Sequence, residues 1–149
     1  PYAGWSLVVV TDDGSGVPRA VTVALPMASV ISSPNTPVPV FAVNGLTPAA
    51  VARPVSFVPV IGEGDRGGDK VGGESVTLNG APVAGLLPAE PGNTFRSAAL
   101  GTPANANTFG LDVDRFGGSA AAASTDVVVG ATSGADGVTF SAVAVVYDL

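Results

Sequence analysis

Val138-Thr139-Phe140-Ser141-Ala142-Val143-Ala144-Val145-Val146-Tyr147 is the stretch on which the reading of this chain turns. Val138, Phe140, Ala142, Ala144 and Val146 alternate with Thr139, Ser141, Val143, Val145 and Tyr147. In an extended chain successive side chains point to opposite faces, so both faces of this segment are rich in apolar groups. A strand apolar on both sides belongs at the centre of a sheet or under cover on both faces. The segment therefore predicts a central strand, and the chain must supply partners for it.

Working outward, short β-branched runs bounded by turn residues recur along the sequence. Asp126 to Thr132 and Phe109 to Asp114 precede the central segment. Ser75 to Leu78 and Ala81-Pro82-Val83 flank Asn79-Gly80, the dipeptide of a two-residue hairpin turn. Val38 to Val43 leads into Asn44-Gly45, and Val55 to Ile61 follows; Pro39 and Pro59 inside these runs point to sheet edges. Arg19 to Leu25 and Trp5 to Thr11 flank Asp12-Asp13-Gly14-Ser15-Gly16, a spacing that predicts a hairpin. Helical signal is confined to Ser119 to Ser124 and a turn within Gly85 to Leu100, both too short to stand alone. The expected fold is all-β: one β-sandwich domain over 1–149, jelly-roll or Greek-key like, with at most short helical turns.

Composition removes many functions. The chain has no Cys and no His, so disulfides, thiolate nucleophiles, Ser-His-Asp triads and the usual zinc or haem ligands are excluded. Its formal net charge is −6 with a single lysine, Lys70, which argues against nucleic acid and anionic membranes as partners. Prolines 26, 34, 37, 39 and 48 interrupt the longest uncharged stretch, Ala20 to Ala52, so no helix in it can span a membrane. The chain opens at Pro1 without an initiator Met or signal-type segment, which reads as a mature or processed product.

Carboxylates are the remaining candidates for chemistry. Gly62 to Glu74 carries Glu63, Asp65, Asp69 and Glu74 on a glycine-rich backbone, a composition suited to a calcium loop. The spacing is not that of an EF-hand, and Arg66 and Lys70 already offset half of those charges, so a solvated loop is the stronger reading. Asp112 and Asp114 would share a face of a strand, as paired hydrolase carboxylates can, but a strand end with Arg115 pairing locally explains them more simply. Asp12-Asp13-Gly14 reads as a turn, and Tyr2 and Trp5 as core or corner aromatics before a ligand platform. Lys70 sits in the most polar stretch, where it stays solvated and protonated, so Ser-Lys catalysis is disfavoured. The chain reads as non-enzymatic, with no cofactor beyond the calcium candidate.

Five ordered segments resemble a recurrent, largely uncharacterised domain of bacterial secreted and cell-surface proteins. They are Tyr2 to Val10 (YAGWSLVVV), Glu63 to Gly67 (EGDRG), Glu74 to Gly80 (ESVTLNG), Asn93 to Ser97 (NTFRS) and Asn107 to Asp112 (NTFGLD), with Thr132-Ser133-Gly134 and the final strand to Leu149 closing the match. The resemblance implies an exported β-domain, with no catalytic residue to carry over. Relatives carry further β-sequence upstream, so it also implies strands supplied by upstream sequence or a neighbouring subunit. Thr11 and the extra Gly68 to Lys70 depart from the pattern, which weakens any loop-based ligand.

Surplus apolar surface decides between the functional readings. At 46% apolar and 12% charged, against roughly 25% charged in an average domain, a lone subunit is short of polar groups to cover itself. The leading expectation is an extracellular structural subunit that self-assembles into a layer or filament, a homo-oligomer or polymer with strand exchange between neighbours. The alternatives are a carbohydrate- or surface-binding adhesin module using calcium, and a viral or phage capsid or fibre jelly roll.

Overall fold

A computed structural model describes residues 7–62, 73–87, 94–100, 108 and 110–149, leaving aside the side chains of 32–34 and 135–136. Eight strands are present and no helix occurs among the described residues. They are β1 (Arg19–Ala24), β2 (Ala28–Asn44), β3 (Arg53–Gly62), β4 (Ser75–Leu78), β5 (Ala81–Val83), β6 (Leu111–Val113), β7 (Phe116–Ala120) and β8 (Asp126–Asp148). The fold is all-β, with two antiparallel sheets packed together as in a β-sandwich.

The two sheets share one strand. β8 runs for 23 residues and joins the two segments that the sequence presents separately as 126–132 and 138–147. Its first half lies between β2, through Val38 to Asn44, and β4. Its second half lies between β3 on one side and β1 with the start of β2 on the other. The corner falls where β2 and β8 lose register together, between Ile31↔Gly137 and Val38↔Ala131. A Cβ on Gly137 would come within 3.2 Å of the Ile31 side chain, so the tight corner suits a glycine. The expectation of a central strand apolar on both faces is met.

At the far side the sheets meet again. β6 and β7 pair with β3, and a bridge between Gly85 and Phe116 links the β5 end back to β7. The Leu86 amide donates to the Arg115 carbonyl at 3.0 Å. Gly118 of β7 explains the close approach, since a Cβ there would lie 2.5 Å from the Leu78 side chain. A single core fills the interior: Val127, Val129, Val143 and Val145 of β8, Val55, Phe57 and Ile61 of β3, Val76 and Leu78 of β4, and Phe95, Phe116 and Phe140. Phe57 stacks on Phe116 at 5.5 Å, and Phe95 meets Phe140 edge-on at 6.5 Å, both favourable ring geometries.

The Asn79-Gly80 hairpin forms as expected, with Leu78 opposite Ala81 and positive φ at both turn residues (51° and 80°). That pattern belongs to the two-residue turn that follows strand twist. The Asn79 amide and side chain also clip the turn to Val128 of β8.

Four readings need correction. β3, placed at a sheet edge by its Pro59, is internal, between β8 and β6 with β7, and Pro59 falls in the gap between the stretches paired to β7 and to β6. Within Trp5 to Thr11, residues 7–11 form no strand and make no hairpin with β1, which instead pairs with the end of β8. Two Asx bonds, Gly14 to Asp12 at 2.8 Å and Ser15 to Asp13 at 3.0 Å, turn the chain locally before Pro18. β2 starts ten residues before Val38, because Ala28 to Ile31 pair with 137–140 of β8; among the described residues its other side has no strand, which suits Pro37 and Pro39. β7 was not anticipated because Phe116-Gly117-Gly118-Ser119-Ala120 has poor strand composition; packing against Leu78 favours the glycines there.

Gly130 lies at the most crowded point of β8, where a Cβ would be 2.7 Å from the Val38 carbonyl and 2.9 Å from Thr77 Oγ1. Backbone cannot retreat as a side chain can. Gly130→Ala is expected to cost about 1–3 kcal/mol, whereas Gly117→Ala, with nothing within 4 Å, stays within about 0.5 kcal/mol of wild type. Urea unfolding of both variants checks the contrast.

Candidate functional site

Asp112 and Asp114 do different jobs. Asp112 occupies the middle of β6 opposite Ile61 and is buried, at 6% exposure. Its Oδ1 accepts the amides of Arg96 at 2.8 Å and Ala98 at 3.0 Å. Asp112 thereby holds the 96–98 segment against the sheet, and the Ala99–Val113 bridge extends the contact. Burial pushes its carboxyl pKa up, while the amide bonds act in the opposite direction.

Asp114 follows the strand and reaches the opposite segment. Its oxygens accept the amides of Leu86 and Leu87, each at 3.1 Å, and the Arg115 amide at 2.6 Å. Gly85 makes room for it, since a Cβ there would lie 1.9 Å from Asp114 Oδ2. Arg115 contributes this backbone bond, while its exposed guanidinium enters no ion pair among the described residues. The two carboxylates thus clamp two different loops: Asp114 accepts backbone amides on both oxygens, whereas Asp112 does so through Oδ1 alone and its buried Oδ2 has no partner among the described residues. That arrangement can position loops; it does not place two acids around one substrate bond.

Of the calcium candidates, Glu63, Asp65 and Asp69 lie outside the described residues, as do Lys70, Tyr2 and Trp5. Glu74 is half-buried just before β4, and its carbonyl accepts the Thr94 hydroxyl at 3.0 Å. Among the described residues, no three acidic side chains are grouped to hold a metal ion.

Two features escaped the sequence reading. Arg53, 8% exposed, donates to the carbonyls of Asp148 (3.2 Å) and Thr47 (2.5 Å) and stands 5.7 Å over the Tyr147 ring. It ties the 45–52 connection to the C-terminal end of β8. Its only sequence signal is an arginine opening an otherwise apolar run.

The second is an apolar surface at the N-terminal side. Val21 of β1, Val58 and Val60 of β3, Val113 of β6, and Ala142, Ala144 and Val146 of β8 form the outer face of one sheet. Leu7 to Thr11 lies across this face and leaves a groove of about 760 Å³. Leu7, Val9 and Val10 remain 60–74% exposed, and Val23, Leu25, Met27 and Ile31 extend the apolar surface along β1 and β2. The arm is anchored at Asp13, whose carboxylate meets Arg19 at 2.5 Å; Arg19 also meets Asp148 at 3.0 Å. The Ser15 hydroxyl and amide, then the Arg19 guanidinium, hold the Asp13 carboxyl well below its ordinary value.

Compared with known proteins, the chain matches no family model, no curated protein and no solved structure.

Asp112 generates a pH prediction. Its folded pKa is raised, so the folded state holds this proton at pH values where the unfolded state has released it. Its contribution to stability therefore falls as pH rises above the ordinary carboxylate value of about 4. Asp112→Asn removes that titration, so the wild type should lose stability relative to the variant as pH rises from 3 toward neutrality. Asp112→Ala strands two amides and should cost about 1–3 kcal/mol. Thermal unfolding across pH measures both.

Proposed function

We propose that this protein is a non-enzymatic structural subunit that assembles with copies of itself, through the apolar surface around β1, into a layer or filament outside the cell. The observation that carries the reading is the number of exposed apolar side chains on this side: Leu7 to Val10 beside Val21, with Val23, Leu25, Met27 and Ile31 following along the chain. Monomeric proteins seldom leave contiguous apolar patches of this kind open, because burying them is worth about 25 cal/mol per Å². Polar defence is thin: β1 carries no charge beyond Arg19, and Arg19 is already engaged by Asp13 and Asp148.

The two prominent carboxylates support the same reading. Asp112 and Asp114 accept backbone amides and stiffen the loops at 85–87 and 96–98, a role suited to a rigid building block. The extracellular setting rests on the resemblance of the YAGWSLVVV, EGDRG and ESVTLNG segments to exported bacterial surface domains.

Light scattering after size-exclusion chromatography is expected to show mass rising above 14.5 kDa with concentration. The double variant Val21→Lys, Val23→Lys should shift this association at least tenfold toward the monomer while leaving the unfolding midpoint near that of wild type. A wild-type chain that stays monomeric at millimolar concentration would overturn the proposal.

A further inference from the structure

We infer that the arm Leu7 to Thr11 is the assembling element, adding as an antiparallel strand to the free edge of β1 in a second copy of this chain. The inference deepens the self-assembly reading and rests on it. Two observations bear on it. Leu7-Val8-Val9-Val10-Thr11 has the β-branched composition of a strand, yet it joins no ladder among the described residues. Among the described residues β1 pairs only with β8, and they leave its other edge without a ladder over Arg19–Ala24. A strand-forming segment without a sheet and a sheet edge without a strand occur in the same chain.

The edge is selective along its length. β1 and β2 lie in line along the same side of β8, β1 against 143–148 and β2 against 126–140. β2 contains Pro37 and Pro39, which have no amide to donate and so blunt its outer edge. β1 contains no proline and no lysine. Addition is therefore favoured at β1.

Charge sets the direction. Arg19 opens β1, and Asp12 and Asp13 close the arm. In antiparallel addition the incoming Asp13 takes the place beside Arg19 that the subunit's own Asp13 vacates when its arm swings out; parallel addition would bring it beside uncharged Ala24. With Asp13 opposite Arg19, counting along both strands places Val9 opposite Val23 and Leu7 opposite Leu25. These are the exposed apolar residues on each side, so the register that pairs the charges also pairs the apolar groups. The same pairing within one chain would be the hairpin that residues 7–11 and β1 do not form. Gly14 to Pro18 leaves a connection of roughly 17 Å when extended, enough to let the arm leave its own subunit.

The absence of native cysteine allows a clean cross-linking test. Val9→Cys and Val23→Cys are prepared as separate full-length proteins, mixed and oxidised, with Val9→Cys plus Val51→Cys as the collision background. Directly opposed strand residues lie within disulfide reach. The expected result is a covalent heterodimer in the first mixture well above the background, with the double variant Val9→Cys, Val23→Cys linking into multimers. A double variant that closes a disulfide within the monomer shows the arm folding back on its own β1 and overturns the inference. If wild type assembles but no cross-link exceeds background, the arm inference fails while self-assembly stands. If wild type remains monomeric, both fail. As an independent readout, Val9→Pro should weaken association at least tenfold with an unchanged unfolding midpoint, because residue 9 lies outside the folded sheets; unchanged association would count against the arm.

Discussion

The structure depends on one strand that has hydrogen-bonding partners on both sides within each of its two halves. β8 supplies backbone groups to β1, β2, β3 and β4, and its two halves carry the centres of two different sheets. Its inward-facing residues Val127, Val129, Val138, Phe140, Val143 and Val145 are each essentially inaccessible to water, while Ala142, Ala144 and Val146 keep its outer face apolar. The corner near Ser133 to Gly137 lets one continuous strand serve both layers, and the Gly85–Phe116 bridge joins the layers again at the opposite side.

The cost of this design falls on the periphery. Among the described residues, chain that is not adjacent to β8 forms only the short strands β5, β6 and β7 and the connections between them, and side chains hold these connections in place. Asp112 and Asp114 tie the 96–98 and 85–87 segments to the end of β6, and Arg53 ties the β2–β3 connection to Tyr147 and Asp148. Buried ionisable groups that satisfy backbone amides and carbonyls are structural fasteners, since an amide or carbonyl left without a partner in the interior costs more than the charge does when fully bonded. The low overall charge follows from the same economy: few charged groups are present, and several of those in the described residues are engaged in holding backbone.

What this architecture leaves uncovered is the side of β1. The interior is closed by large apolar residues, so exposed valines and leucines at the N-terminal side are not a failure of packing within the subunit. They form a surface that is coherent in space and contributed by consecutive parts of the chain. Among the described residues the edge of β1 is apolar and unpaired, the feature on which the proposal of self-assembly rests.

Much of the strand content was legible in local pattern. The alternation of Val138 to Tyr147 identified the central strand, Asn79-Gly80 identified a hairpin, and the absence of His and Cys narrowed the chemistry, because each rests on the properties of a few neighbouring residues. Local pattern misread the arm, since Leu7 to Thr11 has strand composition and only the competition for β1's partner decides whether it pairs. It missed β7 and the early part of β2, where glycines and prolines suit a place in the sheet that composition does not reveal. It could not separate the roles of Asp112 and Asp114, because two residues of spacing fix a shared face only while the strand continues, and β6 ends at Val113. The sequence by itself determined that this chain is β-structured, apolar and poor in catalytic groups. Tertiary structure alone decided which strand is shared, which carboxylate holds which loop and which edge stays open, because those depend on pairing between residues as much as 129 positions apart.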